Sequence, residues 1–281
     1  MKKIGILVGE DADLPINLVK NSDIITFPFV LDWENYKSPA DFYKSMRELK
    51  NKTPKTSQPS AKTFERLIKK ALEKYHDVLV ITVSSKFSGT YNSARQAKKT
   101  FSPSDQKRIR IFDSETSSGA EALITLHAHK LINSVSKINL IIKELEKFKL
   151  KTRLIGAFED PRWLESGGRI SKIQALIVKN MLKAGFRPVL TIKDGQIVTK
   201  KIQANAKNKV NALFGQFKND NGSTEPAEAV ITHADCEEDA IKLKEMIENY
   251  KPNVTIRFMN FISPVVGSHL GPGTLLLSWS N

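Results

Sequence analysis

The stretch Val78-Leu79-Val80-Ile81-Thr82-Val83 is apolar at almost every position, with no alternation of apolar and polar residues. A strand with one wet face alternates, whereas a strand covered on both faces does not. Six such residues are too few for a buried helix and suit a central strand of a parallel sheet. That sheet needs helices on both faces, so the chain must alternate strands with amphipathic helices. The run ends in Ser84-Ser85-Lys86-Phe87-Ser88-Gly89-Thr90, which crowds hydroxyls onto a strand terminus. In parallel α/β sheets, ligands gather outside the carboxyl ends of the strands.

The flanking sequence supplies the alternation. Ile4–Val8, Ile24–Leu31 (broken by Pro28), Arg110–Phe112 and Thr152–Phe158 read as further strands. Helices are expected from Pro15, over Pro39–Leu49, over Tyr91–Lys99 and near Gly119–Asn133. Another starts at a Ser60 cap and carries Phe64, Leu67, Ile68, Ala71, Leu72 and Tyr75 at helical spacing. A further helix, from a Ser136 cap, turns Ile138, Ile141, Ile142, Leu145 and Phe148 inward. Thr53–Ser60 holds two prolines and is a loop.

After Phe158 the rhythm changes. Asp160–Gly168 reads as a short polar connection and Ile170–Leu182 as a helix ending near Gly185. Val189–Ile192 and Ile197–Ile202 flank Asp194-Gly195, a hairpin signal. Helices Lys207–Phe217 and Glu237–Tyr250 alternate with strands Ala229–Thr232, Val254–Phe261 and Thr274–Trp279. A hairpin among helices implies a mixed sheet. The expected fold is therefore α/β in two domains, a parallel-sheet domain over residues 1–158 and a mixed-sheet domain over 159–281.

Composition narrows the function classes. The 281 residues carry a net charge of +14, which would suit nucleic acid, an anionic membrane or an acidic protein. The lysines are scattered in pairs among acidic residues, with no isolated basic block, so a lysine-rich surface explains the charge better than a nucleic-acid face. A single cysteine, Cys236, excludes an internal disulfide and suits a reducing cytoplasm. The N-terminal apolar run is too short for a signal peptide and is interrupted by Glu10, Asp11 and Asp13.

The chemistry-bearing stretches exclude more. Lys86 stands where a nucleophile elbow needs its first glycine, so Ser88 is a poor hydrolase serine. No Gly-x-x-x-x-Gly-Lys-Ser/Thr or Gly-x-Gly-x-x-Gly loop is present. His127 and His129 lie two apart on a helix, where a zinc pair wants a spacing of four. What remains is anion capture. Free N–H groups at a helix start, a glycine permitting close approach, and Ser84, Ser85, Ser88 and Thr90 as neutral donors suit a carboxylate or phosphate.

Thr56-Ser57-Gln58-Pro59-Ser60, Ser84–Tyr91, Asp113-Ser114, Gly167-Gly168-Arg169-Ile170, Arg187-Pro188-Val189-Leu190 with Asp194-Gly195, and Gly267–Gly273 occur in this order. Together they resemble the DegV family, over nearly the whole chain. The resemblance implies a two-domain α/β protein that buries one long-chain fatty acid in a tunnel between the domains. It further implies a bacterial, non-enzymatic subunit of a fatty acid kinase. An ATP-binding kinase subunit would phosphorylate the held carboxylate, and the acyl phosphate would feed phospholipid synthesis. Thr56, Ser85 or Ser88, and His269 fall at the family's carboxylate positions. No metal, cofactor or catalytic residue is implied.

Arg169, before an apolar helix, is expected either to contact the kinase or its phosphate, or to pair with Glu165 or Asp160. Phe27, Phe87, Leu164, Ile173, Ile177 and Phe186 are the candidates for the tunnel wall. Two positions depart from the family pattern. Gly9-Glu10-Asp11 replaces Asp-Ser-Thr, and Gln203 replaces an arginine after the hairpin. The alternative readings are a nucleic-acid- or anionic-membrane-binding module, and a stand-alone serine hydrolase using Ser88 with His269.

Overall fold

The computed structural model describes residues 2–34, 36–48, 52–134, 137–200, 208–221 and 225–281. The expected Ser136 cap, Gln203, and the ends expected at Leu49, Ile202 and Lys207 lie outside the described residues. From the N-terminus the elements run β1 (Lys2–Gly9), α1 (Ile16–Lys20), β2 (Ile24–Phe27), β3 (Val30–Asp32), α2 (Pro39–Glu48) and β4 (Lys55–Ser57). Next come α3 (Ala61–Leu72), β5 (Tyr75–Thr82), α4 (Thr90–Lys99), α5 (Pro103–Arg108), β6 (Ile109–Asp113), α6 (Ser118–Ile132) and α7 (Ile138–Lys151). Then follow β7 (Thr152–Ala157), α8 (Arg162–Ser166), α9 (Lys172–Lys183), β8 (Leu190–Lys193) and β9 (Gln196–Thr199). The chain ends with α10 (Lys209–Asp220), β10 (Ala227–His233), α11 (Glu237–Tyr250), β11 (Val254–Phe261), α12 (Pro264–Leu270) and β12 (Leu275–Ser280).

Contacts divide these into two compact units. The first holds residues 1–30, 57–152 and 194–196; the second holds 31–56, 153–193 and 197–281. A single cut near residue 158 does not reproduce this grouping. Residues 31–56 go with the second unit because Trp33, Phe42, Tyr43 and Met46 pack with Trp163 and Ile262. The Tyr43 hydroxyl also donates to the Ile262 carbonyl at 2.7 Å.

The first unit is a parallel sheet in the order β2-β1-β5-β6. From Val78 onward β5 is buried at every position, as its unbroken apolar run requires. Helices α3 and α4 cover one face through Phe64, Ile68, Ala94 and Ala97. Helices α6 and α7 cover the other through Ile124, Ala128, Ile141 and Leu145. Ser60 caps α3 as expected, accepting the Thr63 N–H at 3.1 Å. Tyr75, expected on that helix, instead opens β5 and lays its ring against Gly5, where any Cβ would collide with it.

The second unit is a mixed sheet in the order β11-β10-β12-β7-β8-β9. β10 runs parallel to β11 and antiparallel to β12. One core gathers Leu213, Phe217, Leu243, Ile247 and Trp279 around α10 and α11. Asp194 and Gly195, both at positive φ, form the expected two-residue hairpin turn. The connection read as polar over Asp160–Gly168 in fact holds α8, whose Trp163 and Leu164 are buried. Helix α9 begins two residues later than expected, at a capping box of Ser171 and Gln174.

Candidate functional site

Two of the expected site residues meet in the second unit. Thr56 lies on β4 and His269 on the last turn of α12. The Ser263 side chain caps that helix, Pro264 takes its first turn, and Gly271 at φ +82° ends it. Thr56 Oγ1 and His269 Nε2 are 2.7 Å apart. The other ring nitrogen, Nδ1, is buried with no partner among the described residues, against Gly167. A Cβ at Gly167 would stand 2.4 Å from it, so the glycine makes room for the ring. Burial, and then the positive Arg169, push the His269 pKa down to about 3. The imidazole is therefore neutral at ordinary pH and carries one N–H.

Arg169 is half-buried, and its Nη1 donates to the Gly167 carbonyl. The expected pairing with Glu165 or Asp160 does not form, because Asp160 is engaged by Arg162 at 2.9 Å. Among the described residues no carboxylate neutralises Arg169, and burial lowers its pKa. A cationic fork beside a neutral histidine and a threonine hydroxyl suits an anion.

The serine loop belongs to the first unit and is more self-contained than its composition implies. Ser84 Oγ donates to the Gly195 carbonyl at 2.8 Å, and Ser84 N–H to the Thr116 carbonyl at 2.9 Å. Ser88 Oγ and Thr90 Oγ1 share a hydrogen bond of 2.7 Å, and Thr90 N–H donates to Ser88 Oγ. The N–H groups of Ser85, Lys86, Phe87 and Ser88 also bond within the unit. The free backbone donors expected of this junction are thus mostly committed. Ser85 is the exception among the four hydroxyl residues: its Oγ makes no hydrogen bond among the described residues, and it is only half-buried. Gly89 makes room for a side chain, since a Cβ there would stand 2.2 Å from Gln58 Nε2.

Asp113 is the residue that sequence reasoning undervalued. Its carboxylate accepts Ser85 N–H at 3.1 Å and Glu115 N–H at 3.0 Å, holding the start of the serine loop. The signal was its place at a strand end, in the quoted Asp113-Ser114. Glu10, one of the departures, accepts the Phe29 N–H at 2.7 Å.

Of the tunnel-wall candidates, Phe27 and Leu164 are core residues of their units. Ile173 is 72% exposed and Ile177 53%, so neither walls a buried space in this structure. Among the described residues no group of histidine, cysteine or acidic side chains could hold a metal, and no helix is long and apolar enough to cross a membrane.

Comparison with known proteins now adds to this geometry. The profile of a family described as "Uncharacterised protein, DegV family" matches residues 3–281. A fatty acid-binding protein of Thermotoga maritima is 32% identical, over 97% of this chain and 96% of its own. Protein DegV of Bacillus subtilis is 31% identical, over 95% of this chain and 90% of its own. The crystal structure of DegV from Bacillus subtilis, described as a fatty acid binding protein, superposes with a TM-score of 0.83 at 27% identity, covering 100% of this chain and 99% of that one.

Proposed function

This chain belongs to the DegV family, and from that premise we propose that it binds one long-chain fatty acid, with Thr56 and His269 receiving the carboxylate and Ser85 and Ser88 as further hydroxyl donors. The neutral, half-buried Thr56–His269 pair carries the reading. A carboxylate only accepts hydrogen bonds. With the proton on Nε2, His269 donates to Thr56 Oγ1 and leaves the threonine hydroxyl hydrogen free for the ligand. Nδ1 is then a bare lone pair, which accounts for its lack of a partner. Of the two serines, Ser85 has the hydroxyl with no hydrogen bond among the described residues, whereas Ser88 shares one with Thr90. The tail supplies the affinity, because about 14 methylenes at ~0.8 kcal/mol each give about 11 kcal/mol of gross driving force. Neutral donors orient the head without quenching it, so the acid stays nucleophilic.

The reading extends to what happens to that acid. An ATP-binding kinase subunit phosphorylates it: a carboxylate oxygen bonds the γ-phosphorus, the bond to ADP breaks, and the acyl phosphate goes on to phospholipid synthesis. This chain has no phosphate loop, so ATP comes with the partner. Arg169, with no ion pair among the described residues, is suited to the kinase or the incoming phosphate. Arg169→Ala is expected to bind palmitate as the wild type does and to lose most acyl phosphate formation when mixed with a fatty acid kinase and ATP. Unchanged turnover would remove Arg169 from this role.

Helix α9 favours a further contact, with anionic membrane. It exposes Ile173, Leu176 and Ile177. Residues 169–193 hold six lysines and arginines and no acidic residue. Exposed apolar side chains ringed by cations suit the interface of an anionic bilayer, where a fatty acid would enter or leave. The protein should sediment with phosphatidylglycerol vesicles and not with phosphatidylcholine vesicles; equal behaviour with both would end this reading.

A further inference from the structure

The first unit buries carboxyl groups that the proposed function does not use. Asp11, Asp13 and Glu121 are each at most 3% exposed. Among the described residues, both oxygens of Glu121, and Oδ1 of Asp11, have no hydrogen-bond partner. Asp13 accepts from Ser118 Oγ at 2.5 Å. The charges acting on Glu121 are Asp11, Asp13 and Asp113, all of one sign, and Glu10 adds to the field on Asp11. The elements packed against α6 bring apolar side chains: Ile6 and Val8 from β1, Ile81 from β5, and Ile141 and Leu145 from α7. The nearby cation on α7, Lys149, is engaged by Glu115 and Glu146. A buried carboxylate with no donor and no cation is not tolerated, so the group stays neutral instead.

The cluster also sits behind the serine loop. Asp113 holds Ser85 N–H and Thr116 O holds Ser84 N–H; Asp113 ends β6, and Thr116 lies in the short connection that runs from it into α6 and Glu121. That connection is tightly wound, with Glu115 and Ser118 both at positive φ. A shift of α6 would therefore pull on the two residues that fix the start of the loop.

We propose that the carboxyl cluster of buried Asp11, Asp13 and Glu121 with half-buried Asp113 is a proton-held latch, in which Glu121 keeps a proton in the folded chain and its loss loosens the Ser84–Thr90 loop through Asp113. This rests on the fatty-acid reading for its consequence, release of the ligand, but not for the latch itself. Burial first, then repulsion from the neighbouring carboxylates, raises both Glu121 and Asp11 well above the ordinary carboxyl range. The folded chain thus binds protons that the unfolded chain has released. The stability this gives is complete below the ordinary glutamate value of 4.5 and is lost as pH rises through the folded value. The unfolding equilibrium shifts toward unfolding by up to about tenfold per pH unit for each such proton.

Glu121→Gln has the shape of the protonated acid and cannot ionise. The melting temperatures of E121Q and wild type, followed by calorimetry from about pH 5 to 9, should differ little at the acid end, with E121Q increasingly ahead toward the alkaline end. Taking the difference removes the histidines, which are common to both proteins. Hydrogen exchange of residues 84–90, corrected for its intrinsic pH dependence, should quicken with pH in the wild type and not in E121Q. Palmitate retention should fall with pH in the wild type alone. D11N, which removes one repelling neighbour, should shift the wild-type profile to lower pH and serves if E121Q does not fold. A pH-independent difference between the proteins, or a wild-type loop whose exchange ignores pH, overturns the latch. A wild type that binds no palmitate at any pH overturns the fatty-acid reading instead, and the melting and exchange profiles still decide the latch.

Discussion

Thr56→Ala and His269→Ala should each weaken palmitate binding by about ten- to a hundredfold, the scale of a lost hydrogen bond to a charged group at ~1.5–3 kcal/mol. The two losses should not add. His269 acts through Thr56 Oγ1 at 2.7 Å, and without the ring the hydroxyl has no fixed direction. The double variant should therefore lose little more than either single one, as expected for two groups in one network. Because His269 is neutral at ordinary pH, His269→Gln, which can still donate to Thr56, should recover part of the affinity. Equilibrium dialysis with labelled palmitate reads all four proteins. Additive losses would mean that the two residues act separately, and full affinity in H269A would remove the pair from the site.

Gly271→Ala should be the most damaging small change in the second unit. Gly271 ends α12 at φ +82°, and a Cβ there would stand 2.0 Å from the Trp163 ring. Trp163 is buried and cannot swing away without opening its cluster. Backbone strain of about 1–3 kcal/mol adds to overpacking of about 1–3 kcal/mol, so a loss of roughly 2–6 kcal/mol is expected. Gly168 makes the control: it also has positive φ, but an added Cβ meets nothing within 4 Å. Gly168→Ala should cost only the conformational part, about 1–2 kcal/mol. All three tryptophans, Trp33, Trp163 and Trp279, lie in the second unit, so tryptophan fluorescence in urea reports that unit alone. Equal midpoints for G271A and G168A would show that the Trp163 contact does not constrain the turn.

These variants also mark what the sequence could and could not disclose. Strand β5 was legible because burial on both faces leaves no polar position to hide it. The Ser60 cap and the Asp194-Gly195 turn were legible because each is set by local hydrogen bonding or by φ. Helix α8 was not, since five residues with one buried face show no period against a polar background. Helix α12 was hidden in the same way, by Gly267 in its middle and Gly271 at its end. Tyr75 keeps a helical spacing from α3 yet belongs to β5, because packing on Gly5 outweighs a spacing that happens to continue.

The Thr56–His269 contact joins residues 213 apart, and nothing local in either stretch points to the other. Their kinship came from the ordered set of motifs. The serine loop shows the opposite limit. Composition correctly marked a polar strand end but could not tell that Ser84 and Thr90 are committed within the unit while Ser85 is not. Glu121 reads in sequence as an ordinary acid in a helix's first turn; only the fold buries it beside Asp11.

A fatty acid held by this chain should survive purification and be read out by mass spectrometry of organic extracts of the protein. Native spectra before extraction give the stoichiometry. Close to one long-chain fatty acid per chain is expected, absent from a T56A/H269A preparation made in parallel or strongly reduced in it. Protein that carries no fatty acid, and takes up none when offered palmitate, would contradict it.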